Sequence, residues 1–92
     1  HGEFVTFINA LKRNASFDKD KIAMIFSVSR NTNFTSLQVQ TLLKAMSFDD
    51  NRLEVAKMLY QNCVDRRNYY VVHEAFDFDS AKRKLDDYIS RF

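Results

Sequence analysis

Few side chains in this sequence have the types and spacing that catalysis or metal binding requires. The two histidines, His1 and His73, are far apart in the chain, and no Cys/His spacing is typical of a zinc site. His73 falls on the apolar side of a predicted helix, which indicates a packed, hydrogen-bonded imidazole; a ligand contact or a pH-sensitive group is the alternative. Cys63 follows Leu59 by four residues on one helix face, so we predict a small core residue rather than a reactive thiol.

The acidic clusters do not predict a metal site. Asp49-Asp50-Asn51 lacks the alternating oxygen ligands and the glycine of an EF-hand loop, and Asp77 with Asp79 is better explained by a turn and a helix cap. A glycine-rich phosphate loop is ruled out because the chain has one glycine, Gly2. We therefore expect no metal, no cofactor and a noncatalytic domain. An enzyme whose site is completed by other domains is the alternative.

Length and composition are those of one globular domain. The chain has 92 residues, 46% of them hydrophobic and 28% charged, and no apolar run approaches the roughly 18 residues of a membrane span. It is expected to be soluble. The net charge of +2 is too balanced to indicate a nucleic-acid or lipid partner by itself. Because the chain begins at His1, we expect a domain excised from a longer protein, with His1 and Gly2 as cloning residues.

A short motif, Phe-Asp followed by a basic residue three places after the Asp, occurs three times. Its Phe residues are separated by 31 and then 30 positions, and apolar residues around them coincide at the same offsets. This self-similarity predicts three tandem repeats, about 4–33, 34–64 and 65–92. The copies are Phe17, Asp18, Lys21; Phe48, Asp49, Arg52; and Phe78, Asp79, Lys82.

Each repeat is predicted to hold two helices, because apolar residues recur at three- and four-residue steps before and after each Phe-Asp pair. The expected fold is all-α: six short helices forming three helix pairs in a compact bundle or a short solenoid. A six-helix bundle like that of death domains is the alternative. The helices are predicted near 4–13, 19–30, 36–46, 50–63, 66–76 and 80–91.

The repeated motif predicts how the second helix of each pair begins. Asp18, Asp49 and Asp79 are placed as N-caps, whose carboxylates would accept from the first amides of their own helices. The preceding phenylalanines, Phe17, Phe48 and Phe78, are predicted to pack back as hydrophobic staples. At the other helix starts, Thr35 with Gln38 predicts a capping box, and Asp65 takes the place of Thr35 in the third repeat.

The repeat leaves two groups of polar residues unexplained, and these are the candidate binding residues. Arg66, Arg67 and Tyr70 combine residue types that are enriched where proteins touch partners; surface residues without a partner are the alternative. Lys82, Arg83 and Lys84 form a basic stretch on the last helix. The leading hypothesis is a protein-interaction module with an unknown protein partner. Binding of nucleic acid or anionic lipid through Lys82–Lys84 is the second hypothesis.

The run from Phe48 to Ile89 resembles the family known as domain of unknown function 4476, with further matching positions upstream. That resemblance implies a compact helical module within a larger, often bacterial and exported protein, and it carries no reaction and no catalytic residue. A location outside the cytoplasm is implied by the resemblance alone. The matching positions are Phe34, Thr35, Gln38, Val39, Phe48, Asp49, Leu53, Ala56, Leu59, Tyr60, Asp65, Asn68, Tyr69, Phe76, Phe78, Ser80, Leu85, Tyr88 and Ile89.

Overall fold

The order of elements is that of an all-helical chain, as predicted. The structure is a computed structural model that describes residues 2–14 and 17–92. A 3-10 turn, Tyr60–Asn62, continues the fourth α-helix, and the predicted fifth helix is a ten-residue 3-10 helix, Arg66–Ala75. No strand is present in these two ranges, only a parallel bridge between Phe34 and Cys63. The α-helices are α1 (Gly2–Asn14), α2 (Asp18–Ser29), α3 (Ser36–Lys44), α4 (Asp49–Leu59) and α5 (Asp79–Ile89).

The buried residues of the long 3-10 helix recur every three positions in the sequence. A 3-10 helix has three residues per turn, so that side chains three apart share a face. Its buried residues are Tyr69, Val72 and Ala75. The α-helical stripe predicted from the sequence also contained His73, which instead lies beside this face, half-buried.

The helices pack around one apolar core. The 3-10 helix lies along α3, while α4 packs against both α2 and α5. The radius of gyration is 12.2 Å, close to the roughly 12 Å of a compact domain of this length. No helix in the described ranges combines the length and apolar character needed to cross a membrane. The fully buried large side chains include Leu11, Ile25, Leu42, Leu43, Leu59 and Leu85.

One predicted cap is confirmed and four are wrong as caps of their own helices. Thr35 and Gln38 form the capping box: the Thr35 hydroxyl accepts from the Gln38 amide at 3.1 Å, and the Thr35 amide donates to Gln38 Oε1 at 2.9 Å. Asp65 stands at the N-cap of the 3-10 helix but does not cap it. Its carboxylate instead accepts from the Ser36 amide at 2.7 Å and the Ser36 hydroxyl at 2.9 Å, so it satisfies the first turn of α3.

The other three wrong caps share one shift of register. Asp18, Asp49 and Asp79 are the first residues of α2, α4 and α5, so the preceding phenylalanine holds each N-cap position. None of these three helices has a side-chain cap. A carboxylate at the first helical position is one residue too late to fold back onto the amides of its own first turn.

The same shift makes the predicted staples wrong. A staple requires the apolar residue to precede the N-cap, whereas each of these phenylalanines is itself the N-cap residue. All three side chains face solvent: Phe17 is 71% exposed, Phe48 67% and Phe78 66%. These residues are therefore surface features.

Candidate functional site

The carboxylate of Asp18 reaches across the fold to the turn before α4. It accepts from the Ser47 amide at 2.9 Å and from the Phe48 amide at 3.0 Å, and the Asn51 side chain adds a third donor. These amides precede a helix and have no partner within it. Burial raises the pKa of Asp18, but the three donors outweigh burial and hold the pKa below its usual value.

Asp49 makes the equivalent contacts with the turn before α5. It accepts from the Asp77 amide at 3.0 Å and from the Phe78 amide at 2.8 Å, immediately before α5. Burial raises its pKa too, and the hydrogen bonds from Asp77, Arg52 and Phe78 lower it by more. The two equivalent contacts agree with the predicted repeat, although the three-repeat arrangement itself stays a prediction.

These contacts link the backbone of the three phenylalanines one after another. Asp18 follows Phe17 and holds the amide of Phe48; Asp49 follows Phe48 and holds the amide of Phe78. We call Phe17, Phe48 and Phe78 the aromatic edge. Hydrogen bonds from the Phe48 and Phe78 amides fix the backbone beneath two of these rings, and all three rings are exposed to solvent. Their repetition identifies these residues in the sequence, but the prediction that they pack back against their helices is wrong, because they are exposed.

Acidic side chains border the aromatic edge. Asp20 and Asp50 lie in the first turns of α2 and α4 and are exposed. Within the described residues neither carboxylate is held by an ion pair. The edge therefore combines apolar rings with two exposed carboxylates, and exposed Lys19 lies beside Asp20.

The predicted patch of Arg66, Arg67 and Tyr70 is only partly available. Arg66 belongs to the fold: its guanidinium lies over the Tyr60 ring, 5.2 Å from the centroid, and donates to the Tyr60 carbonyl at 3.2 Å and the Gln61 carbonyl at 3.1 Å. Arg67 and Tyr70 are exposed. Since they are three apart on a 3-10 helix, they lie above one another on a single face.

The basic residues of α5 do not form one patch. Lys82 pairs with Asp79 at 3.3 Å, and Arg83 is exposed. Lys84 lines a shallow depression of about 200 Å³ with Lys57, Asp87, Tyr88 and Arg91. Three cations and one carboxylate thus surround this depression, and the Lys57 ammonium lies 5.5 Å from the centre of the Tyr88 ring.

A second depression has a volume of about 350 Å³. Its lining combines aromatic and polar residues. The Phe4 and Phe34 rings meet edge to face at 6.2 Å between centroids. Neither depression is lined by His73 or Tyr70. The lining residues are Glu3, Phe4, Phe7, Val28, Thr32, Asn33, Phe34 and Gln38.

The chemically reactive side chains are occupied by structural contacts. Cys63 is buried, as predicted, and burial raises the pKa of its thiol, which makes it a poor nucleophile. His73 is hydrogen-bonded as predicted, with Nε2 2.8 Å from the Asp86 carboxylate. Across residues 2–14 and 17–92, no three His, Cys, Asp or Glu side chains converge as a metal site.

These features define an all-helical domain whose described residues show an aromatic edge and two shallow depressions. The profile of the family described as "Domain of unknown function (DUF4476)" matches residues 1–89. The chain therefore belongs to this family, which confirms the resemblance seen in the sequence. Searches among curated proteins and among solved structures gave no match.

Proposed function

We propose that this domain is a noncatalytic protein-interaction module that binds its partner through the aromatic edge. The observation that carries this proposal is the exposure of Phe17, Phe48 and Phe78, each about two-thirds open to solvent. Large apolar side chains presented together are typical of protein-binding surfaces, where aromatic residues supply most of the energy.

The partner that fits this edge is a polypeptide segment carrying apolar side chains flanked by lysine or arginine. Its apolar groups would cover the three rings. Its cations would face Asp20 and Asp50, which border the rings and favour positive charge. Because the backbone of the edge is already fixed by Asp18 and Asp49, binding would order little of this domain.

The test compares two surface variants by peptide selection. Peptides are selected from a phage-displayed random library on the wild-type domain, and their affinity is measured for Phe17→Ser/Phe48→Ser/Phe78→Ser and for Arg67→Ala/Tyr70→Ala. We expect selected peptides to combine aromatic or aliphatic residues with Lys or Arg, and to lose at least about tenfold in affinity only for the triple serine variant. Circular dichroism checks that both variants keep their helices.

Two outcomes contradict the proposal. If Arg67→Ala/Tyr70→Ala loses affinity and the triple variant does not, the contact surface is the face of the 3-10 helix. If neither variant loses affinity, both surfaces are wrong.

A second candidate function, binding of phosphate-bearing ligands such as nucleic acid or anionic lipid, is favoured by one observation. Lys57, Lys84 and Arg91 surround the same depression, beside a single carboxylate. This site replaces the continuous Lys82–Lys84 stretch expected from the sequence, since Lys82 is paired with Asp79.

A salt titration tests this second candidate. We expect a short single-stranded oligonucleotide, or vesicles containing phosphatidic acid, to bind with an affinity that falls as salt rises. Lys57→Gln/Lys84→Gln should abolish this binding, and Arg83→Gln, which changes charge outside the depression, should leave most of it. Affinity that is independent of salt, or equal losses in both variants, would remove the candidate.

A further inference from the structure

In its first two copies, the repeated motif joins the start of one helix to the turn before a later helix. We call each aspartate, with the basic residue three positions after it, a clasp. In the first clasp, Asp18 accepts from the amides of Ser47 and Phe48, and Lys21 Nζ donates to the Ala45 carbonyl at 2.7 Å. Both members of the clasp therefore contact the turn before α4, one as acceptor and the other as donor.

The second clasp holds the turn before α5 by the same two kinds of contact. Asp49 accepts from the amides of Asp77 and Phe78. Arg52 donates to the Asp77 carboxylate at 3.0 Å. What both filled clasps recognise is thus a turn with two consecutive backbone N–H groups before a helix, and an oxygen acceptor at or just before that turn.

The third clasp, Asp79 with Lys82, has no such turn. The two side chains pair with each other at 3.3 Å and are 81% and 34% exposed. In residues 2–14 and 17–92 no backbone amide donates to the Asp79 carboxylate. Its position at the first residue of α5 is the same as that of Asp18 in α2 and Asp49 in α4.

We propose that the Asp79–Lys82 clasp binds the helix-initiating turn of a partner polypeptide, continuing the series that the first two clasps begin. The ligand is defined by what the filled clasps hold: two consecutive amides for Asp79, a carbonyl or carboxylate for Lys82, and a helix that starts directly afterwards. The positive end of that helix faces the Asp79 carboxylate, which adds to the attraction.

A second copy of this chain is a poorer occupant. Its turns before α4 and α5 are already held by its own Asp18 and Asp49. The proposal does not depend on the aromatic edge, because Phe17 and Phe48 stay exposed beside filled clasps. Removing the three phenylalanine rings should leave binding at Asp79 in place.

The test uses a turn that the domain is known to hold. A synthetic peptide copying Lys44–Leu59, which contains the turn bound by Asp18, is titrated into the ¹⁵N-labelled domain and followed by NMR. We expect weak binding, with a Kd of about 1 mM, and shifts centred on the amides of Asp79 to Lys82. Asp79→Ala should weaken it at least about tenfold, because the amides then have no acceptor.

Two controls separate this contact from nonspecific attraction. Glu54→Ala removes an exposed carboxylate from α4, outside both depressions, and should leave the affinity unchanged. The same peptide with N-methyl groups on the Ser47 and Phe48 amides lacks the two donors and should not shift the Asp79 region.

The outcomes decide the proposal in either direction. Loss of binding in Asp79→Ala and with the methylated peptide, but not in Glu54→Ala, supports it. It is overturned by equal binding of the methylated peptide, by unchanged affinity in Asp79→Ala, or by no shift at about 5 mM peptide. Sedimentation that shows a dimer dependent on Asp79 would also overturn it, since the occupant would then be a second copy.

Discussion

Arg52 makes several polar contacts in the centre of the molecule. Its guanidinium donates to the Leu43 carbonyl at 3.1 Å and to the Met46 carbonyl at 2.6 Å, at the end of α3. It also pairs with Asp49 at 2.9 Å and Asp77 at 3.0 Å. Burial alone would lower the pKa of Arg52, and its two carboxylate partners raise it above the usual value. The residue therefore stays charged inside the fold.

Replacing Arg52 by alanine should destabilise the domain by about 2–4 kcal/mol. The variant removes the side-chain donor to the Leu43 and Met46 carbonyls and leaves the nearly buried Asp49 without a cation, and each such loss is costly. Asp77 adds little because its side chain is 65% exposed. Urea unfolding measures the change. Arg83→Ala, at an exposed position of α5, is the matched control and should stay within about 0.5 kcal/mol of the wild type.

Asp65 should make stability depend on pH in the acid range. The hydrogen bonds from the Ser36 amide and from Asn68 lower its pKa to about 2, from an ordinary value of 3.8. The unfolded chain therefore binds a proton near pH 4, before the folded chain does, so the free energy of unfolding falls as pH drops from about 4 to about 2. Asp18 and Asp49, whose pKa values are also lowered, contribute in the same direction.

Asp65→Asn checks this assignment by urea unfolding at a series of pH values. The variant should be less stable than the wild type at neutral pH, and the difference should shrink below pH 4. Asp87→Asn changes an exposed carboxylate and should preserve the wild-type dependence on pH. A constant difference between Asp65→Asn and wild type down to pH 2 would show that the carboxylate contributes nothing to the acid response.

Among the elements, the 3-10 helix Arg66–Ala75 shows where sequence periodicity reaches its limit. Tyr69 and Val72 fit both an α-helical stripe and a 3-10 stripe, so the pattern alone could not separate the two. The two helix types differ in the residue that they bury after Val72: an α-helix would bury His73, whereas the 3-10 helix buries Ala75. The helix also depends on a distant partner, because the Tyr69 hydroxyl donates to the Ala56 carbonyl of α4.

A pair of substitutions distinguishes the two periods in solution. Ala75→Leu adds volume at a buried position and should cost about 1–3 kcal/mol. His73→Ala removes one partly exposed contact with Asp86 and should cost under about 1 kcal/mol. Thermal unfolding of both variants measures the difference. The reverse order of stability would indicate that the segment is an α-helix.

Element boundaries were largely predictable because their signals are local. The Thr35–Gln38 box joins residues three apart, and the sequence shows it directly. The backbone partners of Asp18, Asp49 and Asp65 lie 28 to 30 residues away in the chain, where no local pattern identifies them. The aromatic edge was missed for the same reason. Asp18 and Asp49 bind the turn before a later helix, and the phenylalanines that precede them are exposed.

At the scale of the whole molecule, successive units are tied by polar contacts as well as by the core. Asp65 joins the starts of α3 and the 3-10 helix, while Asp18 and Asp49 each hold the turn before a later helix. Beside Asp65, the Val64 amide donates to the Phe34 carbonyl at 2.9 Å. Each aspartate joins segments that are 29 residues apart in the chain, so residues at the start of one helix fix the position of another.

This arrangement predicts that Asp49→Ala loosens α5 before the rest of the domain. The variant removes the acceptor for the Asp77 and Phe78 amides, and α5 lies at the end of the chain against α4. Hydrogen exchange should therefore accelerate about 5- to 100-fold for amides of α5, as loss of about 1–3 kcal/mol implies. Amides of α3 should change less. Asp50→Ala, at the exposed neighbouring position, serves as the control, and equal acceleration in α3 and α5 would mean that the domain opens only as one unit.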